Sequence, residues 1–158
     1  MAEPNYIKLL QEKRQECLVQ AKAFEIWLEF LTPIRWTTIF ISIIFPALAG
    51  FSLFQGTNIF GINWQHIAAV LTFTASVVAA LHTALRCDSH QSACKKLAPL
   101  YFALADEFDI AGILDEKAAQ KKYTELIKRL ADLKRTTTET PIRWAKQKAE
   151  REVLFTAN

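Results

Sequence analysis

Cys87, His90 and Cys94 come closest to a reactive constellation in this chain. Steps of three and four place them on one helical face, and thiolate and imidazole both ligate soft metal ions. A fourth ligand is not evident, and a single helix supplying three zinc ligands is an unusual geometry. The expectation is therefore no metal: two small buried thiols and a polar, helix-facing imidazole. Asp106, Glu107 and Asp109 gather carboxylates, but on an amphipathic helix such a group forms a solvated face. His82 lies inside an apolar run, about one turn from Arg86, where an interface-level hydrogen bond is the commoner role. No glycine-rich phosphate loop, G-x-S-x-G elbow or H-E-x-x-H pair occurs. The residues thus predict a protein that is not an enzyme, with no catalytic residue and no cofactor.

The elements that must hold these residues follow from the distribution of charge. The 158 residues carry 19 Lys+Arg against 16 Asp+Glu, a net charge of +3, too dilute to indicate a nucleic-acid partner. Three cysteines exclude a disulfide framework, and 4 Gly with 5 Pro disfavour a turn-rich β fold. Between Arg35 and Arg86, 50 consecutive residues contain no Asp, Glu, Lys or Arg. A soluble domain of this size has little reason to avoid charge for so long.

The uncharged stretch divides into two apolar runs, 36–54 and 67–85, joined by QGTNIFGINWQH. Nineteen residues at about 1.5 Å each reach ~28 Å, close to the ~30 Å hydrocarbon core of a bilayer. The reading is an all-α membrane protein. Residues 1–34 form a cytosolic amphipathic helix, 35–86 a transmembrane hairpin and 87–158 a cytosolic helical region. A signal peptide fits poorly, because the first run starts some 35 residues in and a second run follows. A buried soluble hairpin fits poorly too, because each run is apolar on every face. Lys13, Arg14, Lys22 and Arg35 precede the first run and Arg86, Lys95 and Lys96 follow the second, while the connection has neither Lys nor Arg. This places both termini in the cytoplasm and the connection outside. Arg35, Trp36, Trp64 and Arg86 are the expected interface anchors. Pro46 frees the Ser42 carbonyl and is expected to kink the first span.

Outside the spans, Leu10, Cys17, Ala21, Phe24, Leu28 and Leu31 trace a narrow seam for either a helix of another subunit or this chain's own C-terminal helices. Leu97, Tyr101, Leu104, Phe108 and Ala111 mark a helix continuing from the second span, and Gly112 and Asp115 a break. Tyr123, Leu126, Leu130 and Leu133 mark another helix. Thr32-Pro33-Ile34-Arg35-Trp36 recurs as Thr140-Pro141-Ile142-Arg143-Trp144, each copy reading as a helix start with Pro in the first turn. The second copy opens a last helix, whose Arg143, Lys146, Lys148 and Arg151 suit an anionic lipid surface.

The second span carries the most informative pattern. Ala68, Thr72, Ser76, Ala80 and Ala84 recur every fourth residue, beside Ala75, Ala79, Thr83 and Cys87. Small residues on such a ridge let helices approach closely in lipid. The first span is one partner, and the breadth of the small face suggests a helix from another subunit as a second.

With this architecture, Arg35-Trp36 before the first span and His90, Ala98, Tyr101, Leu104 and Glu107 after the second, the chain resembles the SLATT family of bacterial two-transmembrane effectors. The resemblance implies an oligomeric inner-membrane protein that permeabilises or depolarises the bilayer in antiphage or conflict systems, triggered by a separate sensor protein. A structural adaptor recruiting a soluble partner through its cytosolic helices is the alternative. A constitutive ion-selective channel has little support, because the spans carry no acidic residue and no T-V-G-Y-G filter.

Overall fold

The 50 residues Tyr6–Gln55 form one uninterrupted helix, α1, although two prolines lie inside it. The sequence predicts a new helix starting at Thr32-Pro33, and here the structure differs. A proline removes one backbone hydrogen bond and costs an interior helix about 3 kcal/mol or more. The turns around Pro33 are held from both sides. Leu31 is buried, and the hydroxyls of Thr37 and Thr38 donate to the carbonyls of Pro33 and Ile34, each at 2.8 Å. The helix likewise runs through Pro46.

The computed structural model describes residues 5–55, 64–84, 87–137 and 139–156, and every element among them is a helix. After α1 come α2 (Trp64–Ala84), α3 (Cys87–Ala111), α4 (Glu116–Thr136) and α5 (Arg143–Thr156). The break expected at Gly112 and Asp115 separates α3 from α4, whose N-cap is Asp115 in extended backbone. The last helix starts at Arg143 rather than at Pro141. The connection between α1 and α2, and Arg86, lie outside the described residues.

The chain divides into two compact units, Met1–Glu29 with Ser92–Asn158 and Phe30–Gln91. The first unit holds the N-terminal part of α1 with most of α3, α4 and α5. Its register is set by cross-helix pairs. Arg14 meets Asp109 at 3.1 Å and Phe24 stacks on Tyr101 with centroids 5.8 Å apart, so α3 runs antiparallel to α1. Tyr6 packs edge-on to Tyr123, and Lys134 pairs with Glu16, so α4 runs parallel to α1. Leu10, Cys17, Ala21 and Phe24 of the expected seam are buried, together with Tyr101, Leu104 and Phe108 of α3 and Leu126 and Leu130 of α4. The seam is thus occupied by the chain's own helices. A separate small cluster joins α1 to α5, with Ala23 and Ile26 against Ala145 and Ala149, flanked by Val19 and Trp27.

The second unit holds the apolar part of α1, all of α2 and the first residues of α3. Among the described residues its buried apolar side chains are small apart from Leu31: Ala49, Ala68 and Ala75. Many of its described large side chains are exposed, Trp36, Phe40 and Phe73 among them, while Ile41, Ile44, Phe45, Ile67, Leu71 and Val78 are half-buried.

Candidate functional site: an apolar helix pair and its polar clasp

In the second unit, four polar residues meet where α1 faces the start of α3. Arg35 donates through Nη1 to the Gln91 side-chain carbonyl at 2.8 Å, and its Nε lies 3.1 Å from Asp88 Oδ1. Gln91 Nε2 donates in turn to Thr32 Oγ1 at 3.2 Å. Gln91 is 4% exposed, so its amide is a buried polar group with both ends satisfied. Arg35 was expected as an interface anchor. Its guanidinium also ties the residues just before the first apolar run to those just after the second. Thr32, Asp88 and Gln91 do not stand out in the sequence as site residues. The available signal was spacing, because Thr32 and Arg35 are three apart, as are Asp88 and Gln91, and such pairs share a helix face.

Beyond the clasp the unit presents apolar surface. Trp36 is 69%, Phe40 65% and Phe73 71% exposed, and Ile43, Phe51, Val70 and Leu81 also face outward. Six hydroxyls in these segments are satisfied within their own helices. Besides Thr37 and Thr38, those of Thr72, Thr74, Ser76 and Thr83 donate to the carbonyls of Ala68, Val70, Thr72 and Ala79 at 2.8–3.0 Å. Back-bonding of this kind lets a hydroxyl sit on a helix surface without water. Two helices are long and apolar enough to cross a membrane, and only 6% and 11% of their most apolar windows is buried.

The small-residue ridge of α2 divides. Ala68 is buried and so is Ala75 of the neighbouring row, whereas Thr72, Ser76 and Ala80 are exposed. The side chains of Trp64, Ala84 and Cys87 lie outside the described residues. His82 Nε2 is buried and has no hydrogen-bond partner among the described residues.

In the first unit Cys94 and Cys17 are buried free thiols. Burial pushes the Cys17 thiol up to about 12 and the Cys94 thiol to about 11. Burial would also raise the Glu16 carboxyl, but hydrogen bonds from Lys13 and Lys134 outweigh it and hold that group below its ordinary value. Among the described residues no group of three metal-ligating side chains forms. Asp109 and Glu107 of the acidic group are engaged in ion pairs with Arg14 and Arg129. No family model matches the chain, and no curated protein or solved structure does either.

Proposed function

We propose that the chain is a two-span membrane protein of the bacterial inner membrane, with both termini cytoplasmic. In this reading it assembles as a homo-oligomer and permeabilises or depolarises the bilayer when a separate sensor protein triggers it. The observation that carries the membrane assignment is the outward display of large apolar side chains along two helices without a charge over 50 residues. In water so large an apolar surface would drive aggregation, whereas in lipid it is the solvated state. The internally bonded hydroxyls agree with this. Assembly is supported by the exposed part of the small ridge, since Thr72, Ser76 and Ala80 are left uncovered within one chain. The effector role rests on the likeness to SLATT proteins described above.

The adaptor reading has one observation in its favour. Ile110 and Ile113, at the α3–α4 turn, are strongly exposed apolar side chains outside the spans, suited to a soluble partner. Induced expression with a potential-sensitive dye, alone and with the products of neighbouring genes, separates the two. Depolarisation in either setting is expected of an effector. Retained potential in both, with the chain in the membrane fraction, would leave the adaptor.

A further inference from the structure

The positive charge of the chain is concentrated on one helix. α4 carries seven basic against three acidic residues, a net charge of +4, whereas the whole chain carries +3. Three of the seven cations are held by carboxylates. Lys122 pairs with Glu125 at 2.9 Å, Arg129 with Glu107 at 2.6 Å, and Lys134 with Glu16. The other four, Lys117, Lys121, Lys128 and Arg135, are exposed and form no ion pair among the described residues. Steps of four, seven and seven residues set them in one stripe along α4. At 1.5 Å per residue the stripe is about 27 Å long. Of the acids on its flanks, Glu125 is taken by Lys122 and by Arg129 at 3.3 Å, and Asp132 forms no ion pair with the stripe. A surface groove of about 550 Å³ follows its first half, from Lys117 to Lys128. The opposite face of α4 is committed to the core of the first unit through Ala119, Leu126 and Leu130.

We propose that this outer stripe of α4 is the docking surface for a separate protein, which meets it with an acidic helix. Cations repeating along one helix are matched by carboxylates at the same spacing on a helix laid alongside, as in the charges that flank a helix–helix seam. A bilayer surface fits less well. An interfacial helix buries an apolar face in lipid, and the apolar face of α4 is already occupied. A nucleic acid also fits less well, because Thr124 and Ala131 stand among the cations and offer no ring on which a base stacks. Tyr123, beside the stripe, is packed against Tyr6. Such docking gives the proposed sensor protein its contact site and rests on that part of the functional reading alone. A chain that docks the helix yet leaves vesicles tight would retain the surface and lose only the effector role.

The probe is a fluorescein-labelled helical peptide of alanine and glutamine, with four glutamates at the spacing of the stripe. Its anisotropy is titrated with the full-length chain in neutral detergent at low salt. A second peptide has the same composition with its glutamates adjacent. Neutralising the stripe, K117Q/K121Q/K128Q/R135Q, should weaken binding of the first peptide about tenfold, the scale of four exposed ion pairs together, whereas K8Q/K95Q/K96Q/R151Q should change it less than about threefold. All eight positions are exposed, and thermal unfolding checks the fold of each variant. Should the first variant fail to fold, its halves K117Q/K121Q and K128Q/R135Q repeat the test, each with a partial loss expected. The first peptide should also bind more tightly than the second. No measurable binding of the first peptide, equal affinity for the two peptides, or equal weakening by the two fourfold variants overturns the proposal. Tighter binding of a single-stranded oligonucleotide of equal charge, or of an anionic short-chain phospholipid, overturns it too.

Discussion

Gln91 links both sides of the clasp, and its effect can be read through substitution. Gln91→Leu keeps the volume but leaves Thr32 without its donor and Arg35 without one acceptor. Arg35 is 43% exposed and keeps Asp88, and Thr32 is half-buried, so the loss is that of the hydrogen bonds themselves, about 0.5–1.5 kcal/mol each. Thermal unfolding in detergent should therefore shift down by several degrees, at roughly 2–4 °C per kcal/mol for a chain of this size. Gln91→Glu, which retains an acceptor for Arg35, should lose less. An unchanged midpoint for Gln91→Leu would show that the clasp contributes nothing to stability. Cys17 gives a pH dependence. Its thiol is raised from 9.0 to about 12 in the folded chain, so the unfolded chain releases that proton first as pH rises. The contribution is fully present below 9.0 and is lost progressively as pH rises towards about 12, with Cys94 shifted in the same direction. Denaturant midpoints measured through this window should fall, and fall less in Cys17→Ala. At this scale the burial of Cys94 and the seam through Cys17 and Phe24 were legible in the sequence, while the side chain of Cys87, the other thiol expected to be buried, lies outside the described residues. The clasp was not legible, because Arg35 alone reads as an interface anchor and its partners across the unit lie more than fifty residues away.

Among the elements, the narrow seam of α1 was visible as periodicity, and its two possible partners were not distinguished. The structure fills it with α3 and α4, so Phe24→Ala should cost about 3–5 kcal/mol within a single chain. A smaller loss, seen by denaturant titration, would mean the seam is loosely filled. The repeat at Thr140-Pro141-Ile142-Arg143-Trp144 does lie at the start of a helix, whereas its twin at Thr32 lies inside one. Local capping chemistry is the same in both, and packing around Leu31 with the back-bonded Thr37 and Thr38 decides the difference. In α2, Ser76 and Ala80 are exposed, so Ser76→Leu and Ala80→Leu meet no clash within one chain. Their effect reads on packing between copies. Both should reduce the assembly size seen in detergent, while Leu81→Ala and Val77→Ala should change it little. Unchanged assembly in both Leu variants would show that this ridge joins nothing.

For the whole molecule, the 50-residue gap in charge, which needs no knowledge of packing, marks the stretch that makes up most of the second unit. The attachment of α5 was not legible in the sequence, because Ala145 and Ala149 are too small to stand out in a pattern of hydrophobicity. The central claim is that this chain inserts in a bilayer and makes it leak. Its most direct test is purified protein in vesicles of anionic lipid loaded with a self-quenched dye, with insertion confirmed by resistance to carbonate extraction. The expected result is dye release that rises more steeply than the first power of the protein-to-lipid ratio and falls in Ser76→Leu. Vesicles that stay tight at every ratio while the chain is fully inserted would contradict the claim.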